Sequence, residues 1–222
     1  MPMALILWLL GPTLTIYIGL HIMDSVPLTF ILFYGWLVIV PVFDTVIRER
    51  YSFRLALEFF GLKLSQGSLA AGFVTGILCL VTIFAGISWL QPYFFEVTYL
   101  RKLLQEWGFS GRYVYGMVLI LFLVNPVLEE IYWRGFMAAK LKDYGSFGAV
   151  NLIIAASYGL YHILSIAPMF KWPLNVLGAA PVFLAGLLWG GLRYKYGSLA
   201  GPIISHMLAD AGIMLIYFKY LS

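Results

Sequence analysis

The sequence predicts an all-α, polytopic integral membrane protein: a helical bundle of about seven transmembrane helices, with amphipathic helices lying in the interface beside it. Three observations predict it. Only 11% of the 222 residues are charged and 62% are hydrophobic, whereas a soluble domain carries about 25% charged residues. The apolar residues fall in long runs, and the mean hydropathy is +0.92. Trp, Tyr and Phe make up 18% of the chain, consistent with aromatic belts at the two membrane interfaces. This composition excludes a water-soluble enzyme, a disordered chain and a nucleic-acid module. The net charge is +4. The basic residues sit between apolar runs, so the expected anionic partner is membrane lipid and not nucleic acid. The single cysteine, Cys79, lies inside an apolar run, so no intramolecular disulfide can form.

A bilayer span needs about 20 mostly apolar residues. The first candidate runs from Met3 to about His21. No Lys or Arg precedes it and no small-residue cleavage site follows, so it is expected to be retained rather than removed as a signal peptide. The second runs from Pro27 to Ile47 and the third from Ser68 to Leu90. The fourth, from Tyr113 to about Leu141, is long and interrupted by Pro126. The fifth is Ser146 to Ala167, the sixth Pro173 to Leu192, and the seventh Ser198 to about Phe218. Two stretches alternate charged and apolar residues instead. Arg48 to Gln66 and Tyr93 to Ser110 read as amphipathic helices in the interface. With this span count one side of the membrane collects Arg48, Arg50, Arg54, Lys63, Lys140, Lys142, Arg193 and Lys195. The other collects Arg101, Lys102, Arg112, Lys171 and Lys219. The excess predicts a cytoplasmic N-terminus. Gly72 with Gly76, and Gly186 with Gly190, form GxxxG pairs that read as close helix contacts.

Ionisable side chains inside a span cost at least about 2.5–3.5 kcal/mol each at its centre, so they mark function by default. Six lie in the C-terminal half: Glu129, Glu130 and Arg134 in the fourth span, His162 in the fifth, His206 and Asp210 in the seventh. At a rise of about 1.5 Å per residue, Glu129 lies about 18 Å from Leu141, His162 about 24 Å from Ser146 and His206 about 12 Å from Ser198. These depths permit all three to meet in the middle of the bilayer. Glu130 and Arg134 are spaced as an ion pair on one helix face. Glu129 is turned about 100° away, free to face a cavity. Asp210 shares a face with His206 and can orient it, or donate a hydrogen bond when protonated in an apolar cavity. Pro126 and Pro202 free the carbonyls of Phe122 and Ser198, and Asn125 and Ser205 stand beside these breaks as candidates to satisfy freed groups.

The run Glu129-Glu130-Ile131-Tyr132-Trp133-Arg134-Gly135 resembles the EExxxR signature of the CAAX protease and bacteriocin-processing (CPBP, or Abi) family, to which the type II CAAX prenyl endopeptidases belong. Tyr158 to His162 resembles its FxxxH motif. Phe183 to Gly190, then Gly197-Ser198-Leu199, then His206 to Asp210 resemble its final block, which ends HxxxN or HxxxD. The likeness covers roughly residues 112–215, and the order and spacing of the motifs make it specific. It divides the chain into residues 1–111, without an assignable motif, and a core at 112–222.

The resemblance implies an intramembrane glutamic endopeptidase with no metal or other cofactor, cutting a membrane-associated peptide or protein, prenylated or not. Glu129 would be the general base and His162 its partner on the attacking water. His206 and Asp210 would stabilise the oxyanion, and Glu130, Arg134 and Tyr158 would support the site. Two residues depart from the pattern: Tyr158 stands where the family has Phe, and Asp210 where it often has Asn. An ionised Asp210 would repel an oxyanion, so it must be protonated or act by holding His206. The small size points to the plasma membrane of a prokaryote. Three other readings use the same residues. A zinc protease has a plausible ligand count in two His and one or two carboxylates, but no HExxH is present. A catalytically silent scaffold would be expected to have lost motif residues. A proton-coupled transporter would use the buried acids as a relay, but no repeat relates the two halves.

Overall fold

A computed structural model describes residues 2–222. The seven expected spans are present as helices long and apolar enough to cross a membrane: α1 (Met3–Ile22), α2 (Val26–Arg48), α4 (Gln66–Phe94), α6 (Gly111–Tyr144), α7 (Phe147–Ile166), α8 (Leu174–Tyr196) and α9 (Ala200–Tyr220). Two short helices, α3 (Phe53–Phe60) and α5 (Val97–Glu106), lie between them. No strand occurs among the described residues.

Local chemistry fixes the helix ends. Ser25, Ser52, Ser65 and Ser146 cap α2, α3, α4 and α7, each side chain accepting the backbone N–H three residues on. Glu96 caps α5 by accepting from the N–H groups of Thr98 and Tyr99. The stretch Arg48 to Gln66 is therefore shorter as a helix than its composition predicts. Arg48 closes α2, Ser52 starts α3, and Gly61 ends it with φ +80°, a left-handed conformation that suits glycine.

The fourth span is not a uniform helix. Ile120–Val124 and Ile131–Met137 are wound as π-helix, on either side of a single α-helical stretch, Asn125–Glu130. Pro126 begins that stretch and has no N–H to donate, so the kink expected there takes the form of a change in winding.

The middle of α6 is the centre of the bundle: Tyr132, Trp133, Phe136 and Met137 are fully buried. The most extensive helix pairing is α4 along α9, and the next is α7 along α8. Gly72 makes the first contact close, since a Cβ there would fall 2.3 Å from the backbone oxygen of Gly201. A Cβ at Gly76 would meet Leu208 and the Ser205 backbone, and one at Gly190 would meet Asn151. Both GxxxG pairs are thus packing surfaces. Through the first pair, helices from both sides of position 111 interlock.

The helix ends show which loops share a side. On one, Lys140 pairs with Asp44 and Glu49, and Leu199 donates its N–H to the Gly61 carbonyl. On the other, Val26 bonds to Trp107, Lys171 to Phe94, and Arg101 to the carbonyls of Tyr220 and Leu221. This is the two-sided division of Lys and Arg that the span count predicts.

Candidate active site

The α-helical stretch of α6 between its two π-wound segments carries Glu129 and Glu130 against α9, where His206 sits one turn beyond the Pro202 break. Glu129 and His206 are each only 2% exposed. Glu130 Oε1 lies 2.9 Å from Arg134 Nη1 and 3.0 Å from His206 Nδ1. One carboxylate oxygen thus receives both the ion pair expected within α6 and an imidazole from another helix. Arg134 also donates to the Gly186 carbonyl at 3.1 Å. Its guanidinium lies over the rings of Tyr158, at 4.5 Å, and Trp189, at 5.3 Å. A charge this deep survives only when its hydrogen bonds and counter-charge are in place.

His206 is fixed on every side. Its ring stacks on Trp189 with centroids 4.1 Å apart and planes 16° off parallel. With Nδ1 committed to Glu130, Nε2 is the nitrogen left to work. It faces Glu129 Oε2 at 3.7 Å, Asp210 Oδ1 at 3.6 Å and the Tyr158 hydroxyl at 3.4 Å. Asp210 keeps 21% of its side chain exposed, which makes it the most open member of the cluster. Asn125 donates from Nδ2 to Asp210 Oδ2 at 3.3 Å and accepts from the Tyr34 hydroxyl, also at 3.3 Å. Tyr34 therefore sets which way the Asn125 amide points.

Several buried polar atoms are left over at the centre, among them Glu130 Oε2, Trp133 Nε1 and Arg134 Nε. Glu129 Oε2 and the Tyr161 hydroxyl also have no hydrogen-bond partner. Unpaired buried polar atoms are rare and require a reason, such as a water or substrate group they are built to meet. Among the described residues no three His, Cys, Asp or Glu side chains come together in an arrangement suited to a metal ion.

The structure brings together Glu129, Glu130, Arg134, Tyr158, His206 and Asp210. His162 is less integrated. Its Nδ1 bonds to the Tyr158 carbonyl one turn back at 2.9 Å, and its ring lies between those of Tyr158 and Tyr161. No hydrogen bond or ion pair joins it to Glu129 or His206 among the described residues. Asn125 and Ser205 differ from expectation. They turn away from the carbonyls freed by proline, Asn125 toward Asp210 and Ser205 toward Trp189 and Thr75. Three contributors have no signal in the sequence: Tyr34, Tyr161 and the Glu130–His206 contact. Each depends on which faces of different helices meet.

The family described as type II CAAX prenyl endopeptidase Rce1-like matches residues 111–212. That segment belongs to this family. It starts with α6 and takes in every residue of the cluster except Tyr34. The match is to a family of CAAX-type proteases, hydrolases of peptide bonds, and the matched segment lies in an integral, multi-pass membrane protein. No curated protein and no solved structure matches the chain.

Proposed function

We propose that this Rce1-like protein is an intramembrane glutamic endopeptidase. In this reading Glu129 takes a proton from a water held between its free oxygen, the Tyr161 hydroxyl and His162. The hydroxide attacks the peptide carbonyl, and the oxyanion receives a hydrogen bond from protonated Nε2 of His206. Collapse of the intermediate breaks the C–N bond, and Glu129 returns its proton to the leaving amine. Glu130 and Arg134 hold His206 from behind, and Asp210 acts through His206 and Asn125. The observation that carries the reading is the pairing of a buried, unpartnered carboxylate oxygen with an imidazole whose second nitrogen is already committed.

The catalytic core is assigned to residues 112–222, and the substrate is a membrane-associated peptide or protein in a prokaryotic plasma membrane. An apolar groove of about 300 Å³ between α6 and α9 supports entry from the bilayer. Phe122 and Ala211 line it, one turn from Asn125 and next to Asp210 respectively.

The test is cleavage of a panel of prenylated and transmembrane peptides by the detergent-purified protein, followed by mass spectrometry. Glu129→Gln keeps the shape and removes the base, and should lower the rate at least about 100-fold. Chelator should leave wild-type cleavage intact. Cleavage abolished by chelator would replace this reading with a zinc protease. Cleavage unchanged in Glu129→Gln would overturn the assignment of the base.

A further inference from the structure

Away from this site, two cations meet without a counter-ion. The turn after α3 and the turn between α8 and α9 are tied together: Leu199 donates its N–H to the Gly61 carbonyl at 2.9 Å, and Ser198 donates its hydroxyl to the Lys63 carbonyl. Ser198 and Leu199 are fully buried, so the paired turns form a rigid platform. Both turns pass through left-handed glycines, Gly61 with φ +80° and Gly197 with φ +61°.

Arg193 lies on that platform. A Cβ built on Gly61 would fall 2.3 Å from Arg193 Nη2 and 2.4 Å from Cζ, so the guanidinium rests directly on the bare glycine. A Cβ on Gly197 would lie 3.4 Å from Lys63 Nζ and 3.9 Å from Arg193 Nη1, which puts both cations around one spot. Among the described residues neither takes part in an ion pair or a side-chain hydrogen bond. The Arg193 Nε–H is buried and has no acceptor. Asp44, Glu49 and Glu58 pair elsewhere, Asp44 and Glu49 with Arg48 and Lys140, and Glu58 with Arg54.

Two like charges sharing a spot, one with an orphaned buried donor, call for an anion. The planar fork of Arg matches phosphate oxygens, with Lys as the second point charge. The surroundings select a lipid as its source. Leu64, next to Lys63, is 87% exposed, so an apolar side chain borders the cations. The cluster also sits at the ends of membrane-spanning helices, on the side richer in Lys and Arg.

We infer that Lys63, on the turn joining α3 to α4, and Arg193, in the last turn of α8, bind the phosphate of an anionic lipid headgroup. The site is independent of the protease reading and lies about 12 Å along α9 from His206.

Native mass spectrometry of the intact, detergent-purified chain tests it, with phosphatidylglycerol or phosphatidylcholine added and inorganic phosphate as a separate arm. Wild type should retain phosphatidylglycerol in preference to phosphatidylcholine. Lys63→Gln, an exposed position that leaves the fold intact, should weaken retention about fivefold, and adding Arg193→Gln should weaken it further. Lys102→Gln, on the opposite side, should leave it unchanged. Equal retention in wild type and Lys63→Gln would overturn the site. Displacement of the lipid by inorganic phosphate would overturn its assignment to a lipid.

Discussion

At the residue scale, the cluster is a set of charges that neutralise one another away from water. Glu130 holds two partners through one oxygen. Glu130→Gln would leave Arg134 buried without its counter-charge, and breaking a buried pair in this way costs about 3–5 kcal/mol. The expected outcome is a large fall in thermal stability in detergent, together with loss of cleavage. Asp210 behaves differently because it is partly open and its bonds are to neutral or shared groups. In Asp210→Asn the amide oxygen can still accept from Asn125 and its NH₂ can donate where an oxyanion forms. Cleavage should stay within about tenfold of wild type, while Asp210→Ala should lose more, since it removes the acceptor that Asn125 needs. A stronger defect in the Asn variant than in the Ala variant would sink this account. The pairs legible in the sequence here were Glu130 with Arg134 and His206 with Asp210, because four residues is one helical turn. The stacking of Trp189 on His206 and the reach of Tyr34 to Asn125 were not legible, since no spacing rule links different helices.

At the element scale, α4 and α9 lie close only because Gly72 and Gly76 present no side chain. Gly→Ala in an exposed helix position normally stabilises by up to about 1 kcal/mol. Gly72→Ala should do the reverse, losing about 1–3 kcal/mol, because its Cβ would collide with the backbone of Gly201, which cannot rotate away. Gly86→Ala, further along the same helix with nothing within 4 Å of its Cβ, is the matched control and should be neutral or stabilising. Equal effects of the two substitutions on unfolding temperature would show that glycine packing does not set this contact. The spans themselves were readable to within a few residues, because bilayer thickness dictates their length. The short helices were read too long. Capping by Ser52 and Glu96 and the left-handed turn at Gly61 set their ends, and composition averages over such single residues.

At the scale of the whole molecule, Lys140 near the end of α6 fastens that helix to the end of α2 through Asp44 and Glu49. The hydrogen bond from Lys140 holds the Glu49 carboxyl below its ordinary range. A carboxyl lowered on folding adds stability that is present above its unfolded value, about 4.3, and disappears as pH falls through its folded value. Wild type should therefore unfold at a higher temperature than Glu49→Gln near neutral pH. The gap should close on acidification below about pH 4. A gap that stays constant with pH would mean that the Lys140–Glu49 contact adds no net stability. The division of Lys and Arg between the two sides was legible from the span count. The particular partner of each cation was not.

By itself the sequence determined that this chain crosses the membrane, how many times, and which residues are too costly to be there without a purpose. Those conclusions follow from local quantities: hydropathy over a span's length, the helical repeat, and the order of short motifs. The tertiary structure alone decided that Glu130 shares its oxygen between Arg134 and His206, that Glu129 keeps one oxygen free, and that Lys63 and Arg193 face the same spot. Each of these depends on the relative rotation and depth of helices far apart in the chain. Glycine contacts and aromatic stacking between helix faces set that geometry, and no single segment encodes it.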